Sequence, residues 1–592
     1  MQLDSLDWLV VVVCLVAAFA PALWFARRAS RGTAEFFASG RTAPWWLIGT
    51  SMVATTFSTD TPNLVTDLVR SNGVAANWSW WAFLITGMAT VFLYARLWRR
   101  SGALTDLEFY EMRYSGRLAA VVRGVRAVYL GLVFNAVIMA TVTLAAVKIA
   151  HVLLGWDRGT TLVVCFLLSV GFSALAGLWG VLVADLVQFA IAMIGVIAAA
   201  RAALQAPQVG GLTGLVDRLD PQTLAFFPDP GDGTVFVSVL VVPLAVQWWA
   251  VWYPGAEPGG GSYIAQRMLA ARDENHALKA VLWFNVAHYA LRPWPWILVA
   301  LASLLVFPEL SDIRAALPHV DPALLGNDIA YPAMLTLLPH GLLGLLVASL
   351  TSAYVSTMST HLNWGASYLV NDLYRRFLRP DADERHLVRM SRLVTVGLMG
   401  CAAGFTLLLE TAGEAFRLLL SFGAGTGLIY LLRWYWWRIN AWSEISAMIV
   451  SFLVTISIHL LGRADVIRLG SDATLLWTVG ITTFVWLAVT FMTPPVDRTT
   501  LAAFVRRVRP AGPGWPGFTS DDSLPADNLP RALLSWSLGC LSIYAALFAI
   551  GSFLYGYTAR GSSLGVLAVV AFLALNRFSR GPKDQPPGIR VR

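Results

Sequence analysis

Apolar runs of about twenty residues recur along almost the whole chain, separated by short polar loops. Twenty residues of helix rise about 30 Å, the thickness of a bilayer's hydrocarbon core. Inside that layer every backbone N–H and C=O needs a partner in its own structure, so only helices and closed barrels span it. The runs are continuous rather than alternating, which excludes a β-barrel. Composition agrees: 57% of the residues are hydrophobic and only 13% are charged, about half the charge of a soluble domain. The chain is predicted to be an all-α polytopic membrane protein with the lipid bilayer as its first partner.

Fifteen spans are expected, near 7–26, 45–68, 77–98, 123–153, 160–177, 180–203, 235–254, 279–307, 331–370, 388–409, 413–431, 440–461, 471–493, 531–555 and 562–577. Basic residues test this threading. Alternate loops carry Arg27, Arg28 and Arg31, then Arg99 and Arg100, Arg267 and Arg272, Arg375 and Arg376, and Arg506 and Arg507. The opposite loops carry single residues such as Arg70, Arg158 and Arg218. By the positive-inside rule the N-terminus lies outside and the C-terminus in the cytoplasm, in a cell inner membrane or plasma membrane. The net charge of +8 is thus an orientation signal, and no nucleic-acid partner is expected. Cys14, Cys165, Cys401 and Cys540 stand singly in apolar segments, without metal or redox spacing. The first segment, which opens with Asp4 and Asp7 rather than a basic residue, is read as a retained helix.

Polar residues in the middle of spans carry the functional signal. In the ninth span Ala353, Ser356 and Thr357 share one helix face. Hydroxyls there serve either helix–helix adhesion or an ion path, and this stretch alone leaves both open. The second span contains Thr55-Thr56-Phe57-Ser58-Thr59-Asp60-Thr61-Pro62. Pro62 removes a donor and disfavours helix at Thr61. A break there frees carbonyls, and Asp60 is a costly group at that depth. Asp185 and Gln188 share a face of the sixth span, where Asp185 either handles a cation or pairs with an Arg. Trp248, Trp249, Trp252 and Tyr253 run into Pro254, Gly255 and Pro258, so the seventh span has to unwind beside aromatic rings. Arg292 lies inside the eighth span; it is expected to bind a substrate carboxylate or to pair with Asp60 or Asp185.

With these residues in view, the chain resembles the sodium:solute symporter family. The resemblance rests on Ala353, Ser356 and Thr357 followed by Asp372-Leu373-Tyr374, on Gly177-Leu178-Trp179-Gly180 followed by Asp185 and Gln188, on Tyr263-Ile264-Ala265-Gln266-Arg267, and on Leu104-Thr105-Asp106-Leu107-Glu108-Phe109. It implies a LeuT-type inverted five-plus-five helix repeat with additional flanking helices, about fifteen transmembrane helices in all. Residues 1–44 then form a flanking helix and loop, 45–204 the first repeat, 205–234 an extracytoplasmic loop and 235–431 the second repeat. Two flanking helices fill 432–493, a cytoplasmic Pro/Gly-rich loop 494–530, and two trailing helices with a basic tail 531–592.

The resemblance implies a sodium site made of the carbonyls of Ala54, Phe57 and Ala353 with the hydroxyls of Ser356 and Thr357. Asp185 is a possible second sodium ligand. Thr56, Asp60, Thr61, Trp248, Trp249, Trp252 and Arg292 are the expected solute contacts. The implied activity is sodium-coupled symport of a small organic solute by alternating access, with a sugar or sugar acid ahead of an amino acid or other carboxylate. A transporter-like membrane sensor signalling to a partner is the reading from a different class. No enzyme is expected: the eight histidines are dispersed and no paired catalytic constellation is visible. The expected state is a monomer or weak oligomer.

Overall fold

The computed structural model describes residues 3–29, 32–253, 255–409, 423–518 and 527–579. Among these, eleven helices are long and apolar enough to cross a membrane, and Ser5–Ala20 and Arg158–Ala174 are shorter apolar helices. The expected span at 413–431 lies mostly outside the described residues. The expected boundary near residue 177 is a kink: Gly177 adopts φ 54° inside Arg158–Gln205, a conformation open to glycine.

The helix Leu342–Ser367 is the central element. Almost all of its residues are buried, and it packs against Arg158–Gln205 and Ser5–Ala29. Outer helices have the opposite character. Phe484 is 73% exposed and Val566 64% exposed, because their partner is lipid rather than protein. The ninth span starts later than expected, since Ala330–Leu335 is a separate short helix. Pro339 and the positive-φ Gly341 interrupt the chain before Leu342. The free amides at that helix start are met by Asp7, whose Oδ1 accepts from Gly341 N at 2.7 Å and Gly344 N at 2.8 Å. A carboxylate there satisfies orphan donors and meets the positive end of the helix dipole. A Cβ on Gly344 would lie 2.5 Å from Asp7 Cα, so only glycine allows this approach.

The second span is broken, but not where the proline suggests. Helix runs over Trp45–Thr55 and resumes at Asp60–Asn72. Pro62 sits in the first turn of the second half, where its missing N–H costs nothing. The interruption is the polar run 56–59.

Two segments placed beyond the repeats pack against the core. Helix Leu529–Leu554 packs on the core: Trp294 Nε1 donates to Leu547 O at 2.8 Å and Trp536 Nε1 to Ile85 O at 2.8 Å. The stretch 494–518 is not a loose loop. Arg498–Val508 is helical, and Trp515 Nε1 donates to Trp434 O at 3.0 Å beneath the Arg113 guanidinium.

Ion pairs join distant segments, one in the interior and one at the surface. Lys148 Nζ lies 2.7 Å from Asp328 Oδ2, and both residues are buried. Lys148→Met leaves Asp328 without its cation and is expected to cost about 3–5 kcal/mol. Lys148→Met with Asp328→Leu should recover most of this in detergent-solubilised melts. On the face with the basic loops, Glu111 accepts from Arg123 Nη1 at 2.6 Å and Arg376 Nη2 at 2.8 Å. Burial pushes the Glu111 carboxyl up, but the two guanidiniums outweigh it and hold it below the usual range. Its contribution is therefore present above the unfolded carboxylate pKa and lost as pH falls through the depressed folded value. Glu111→Gln should flatten the acid limb of the melting profile between about pH 6 and pH 3.

Candidate functional site

The break in the second span meets the centre of helix 342–367. Thr357 Oγ1 lies 2.8 Å from Thr55 O and 3.1 Å from Ala353 O. The Ala54 carbonyl accepts from Phe57 N at 3.0 Å within its own turn. The carbonyl that faces Thr357 thus belongs to Thr55, between the two expected ligands Ala54 and Phe57. Ser356, about 100° further round the helix, faces elsewhere. Its Oγ donates to Asp185 Oδ1 at 2.6 Å.

Asp185 is fully buried and heavily engaged. Oδ2 accepts from the Ser51 hydroxyl, and Arg267 Nη2 lies 3.8 Å away. Arg267, expected in a cytoplasmic loop, is 0% exposed. Its Nε donates to Ser51 Oγ at 3.1 Å and its Nη2 to Thr360 Oγ1 at 2.6 Å. Thr360 Oγ1 is 2.9 Å from Thr55 Oγ1. A single polar network thus runs from the broken helix through helix 342–367 to Asp185. It offers neutral and anionic oxygens of the kind a hard cation takes.

Beside the network lies a cavity of about 90 Å³. Thr56, Asp60, Thr61 and Arg292 all line it, as do Tyr253, Tyr263 and His288. Asp60 occupies the first turn of Asp60–Asn72, where the helix dipole favours a carboxylate, and accepts from the Ser58 hydroxyl. His288 belongs to a π-helical turn, Ala287–Leu291, just before Arg292 and Pro293. The extra residue in that turn and the proline after it set both side chains toward the broken helix. His288 Nδ1 lies 3.0 Å from Thr56 Oγ1, and Arg292 Nη1 donates to the same oxygen at 3.1 Å.

Trp248, Trp249 and Trp252 do not line this cavity. Helix Trp248–Ala250 ends where Trp252 N donates to Gly423 O at 3.0 Å and Gly425 N to Ala250 O at 3.0 Å. That pairing turns the indoles away. Trp249 bonds Ala245 O, Trp248 packs on Trp536, and Trp252 packs edge-on against Phe134. Tyr253 and Gly255 take their place on the wall; Pro254 lies outside the described residues. Arg292 pairs with neither Asp60 nor Asp185. The guanidinium beside Asp185 is that of Arg267.

Residues 36–451 match the model of the sodium:solute symporter family. The chain belongs to that family. Among similar proteins, the sodium/mannose cotransporter of Bos taurus is 26% identical over 472 residues, covering 74% of this chain and 76% of the relative. The sodium/glucose cotransporter of Vibrio parahaemolyticus is 23% identical over 478 residues, covering 76% and 84%. A sodium-coupled sialic acid symporter in a substrate-bound outward-open state superposes with a TM-score of 0.67 at 18% identity, over 83% of this chain and 99% of the other. This symporter therefore has the LeuT-type fold, and its coupling ion is sodium.

Sequence reasoning passed over the roles of Thr55, Arg267 and His288. Arg267 had a visible signal: it is a lone Arg inside Tyr263-Ile264-Ala265-Gln266-Arg267-Met268-Leu269-Ala270, an apolar frame that a cytoplasmic loop does not need. His288 lies four residues before Arg292, on the same face of its span.

Proposed function

We infer that this symporter carries a sugar or sugar acid inward with sodium. The sodium is held between Thr357 and the broken second span, and the solute in the adjoining cavity. The observation that supports this reading is the Thr357 hydroxyl facing the Thr55 carbonyl across the helix break. Ala353 O and the carbonyls of Ala54 and Phe57 lie on the same two segments and complete an all-oxygen set when the hydroxyl proton turns away. Ligands from two helices fix those helices against each other, so sodium binding biases which face opens.

Asp185 positions Ser356 and Arg267. Each of its oxygens accepts one hydroxyl proton and the Arg267 guanidinium lies 3.8 Å away, so a second sodium there would meet a like charge. One sodium contributes about 2.3 kcal/mol per 100 mV, plus its concentration gradient. The repeats run over 45–204 and 235–431, with the N-terminus outside, the C-terminus cytoplasmic, and the protomer acting alone in the plasma or inner membrane.

Uptake into proteoliposomes tests this reading. An inward sodium gradient should accumulate a bound solute above its external level, and an equal potassium gradient should not. Equal uptake under both gradients would remove sodium coupling from this site.

A further inference from the structure

The solute cavity holds a cation that, among the described residues, no carboxylate touches. Arg292 is 1% exposed, and its guanidinium meets only neutral acceptors. Nη1 donates to Thr56 Oγ1 at 3.1 Å and reaches Val53 O at 3.4 Å, and Nη2 donates to His288 Nε2 at 3.2 Å. Nε is buried without a hydrogen-bond partner. Trp296 lies over the group at 5.1 Å. Among the described residues no carboxylate forms an ion pair with it, while Asp185 has its own guanidinium in Arg267.

His288 cannot serve as the counter-charge or as a second cation. Its Nε2 accepts from Arg292, so its proton sits on Nδ1, facing Thr56 Oγ1 at 3.0 Å, and the ring is neutral. Asp60, the other charged wall residue, takes the Ser58 hydroxyl on its own segment and acts on Arg292 through space, without a hydrogen bond. The two charges flank the cavity without meeting.

A desolvated guanidinium without an anion is costly, and a carboxylate matches its planar fork of donors. A neutral sugar would leave the fork, with its unpartnered Nε, facing no anionic acceptor. A doubly charged phosphate would exceed a single cation and add repulsion from Asp60. We propose that the solute is a sugar acid of the uronic or aldonic type, with its carboxylate at Arg292 and its hydroxyls at Asp60, Thr56 and Thr61. The proposal rests on reading this cavity as the solute site. The rings of Trp80 and Tyr289, stacked at 5.9 Å beside His288, supply an apolar wall for the carbon skeleton.

Thermal melting of the purified full chain in sodium tests the pairing, with D-glucuronate against D-glucose, D-galacturonate against D-galactose, D-gluconate against sorbitol, and L-alanine as a carboxylate without the polyol. At least one acid should stabilise the protein more than its neutral partner and more than L-alanine. Arg292→Gln should weaken the apparent affinity for that acid at least tenfold, and Arg292→Lys should restore part of it. Stabilisation by sodium alone should persist in both variants, which shows that they fold. Neutral sugars matching the acids, L-alanine exceeding them, no acid producing a shift, or Arg292→Gln binding the acid as the wild type does would each overturn the proposal. These results leave sodium coupling standing. Loss of sodium stabilisation in the wild type would instead strike the symport reading.

Discussion

Ser356→Ala combined with Thr357→Ala is expected to abolish sodium-driven accumulation while leaving the fold intact. Both side chains are small and buried, so the change removes two hydroxyls and little volume. A hydrogen bond or ligand contact to a charged group is worth about 1.5–3 kcal/mol, so loss of Thr357 alone should weaken sodium binding about 10- to 100-fold. Thr357 and Ser356 should not be equivalent. Thr357 faces the helix break at Thr55, whereas Ser356 faces Asp185. Thr357→Ala should therefore carry most of the loss in sodium affinity, with Ser356→Ala a smaller share through a loosened Asp185. Thr357→Ser, which keeps the hydroxyl, should retain sodium dependence. Sodium titrations of thermal stability read all four variants on one scale.

Asp185→Ala is expected to be the most destabilising single change in the core. It strands Arg267 at 0% exposure and removes the acceptor of both Ser51 and Ser356. Breaking a buried pair from one side costs about 3–5 kcal/mol, a large part of a membrane protein's margin. Asp185→Asn keeps an acceptor for the hydroxyls but loses the charge and should fall between Ala and wild type. Asp185→Ala with Arg267→Met removes both charges and should recover stability without recovering transport, since Thr360 and Ser51 lose their shared donor. The contrast between restored melting and absent uptake separates an organising role from a merely structural one.

How far the sequence could be read depended on the kind of signal. Thr56, Asp60, Thr61 and Arg292 could be picked out because polar groups at mid-membrane depth have few uses other than lining a cavity or network, and all four line the cavity. Thr357 was legible for the same reason. Which carbonyl faces it was not, because a broken helix sets its own register; the break fell at 56–59 rather than at Pro62. The indoles of Trp248, Trp249 and Trp252 misled because aromatic content says nothing of direction. A backbone pairing with Gly423 and Gly425, some 170 residues away in the sequence, turns them away from the cavity. Arg267 was read by its charge as a loop residue, although its apolar neighbours pointed inward. The lesson from Arg267 and Trp248 is the same: a long-range partner decides what local composition leaves open.

In the proposed mechanism, sodium and solute move together through the contact between Thr357 and the broken second span. Sodium entry into proteoliposomes, measured with and without a transported solute, tests it most directly. Solute is expected to stimulate sodium entry through the wild type and not through Thr357→Ala. Solute uptake through Thr357→Ala with the sodium dependence of the wild type would contradict it.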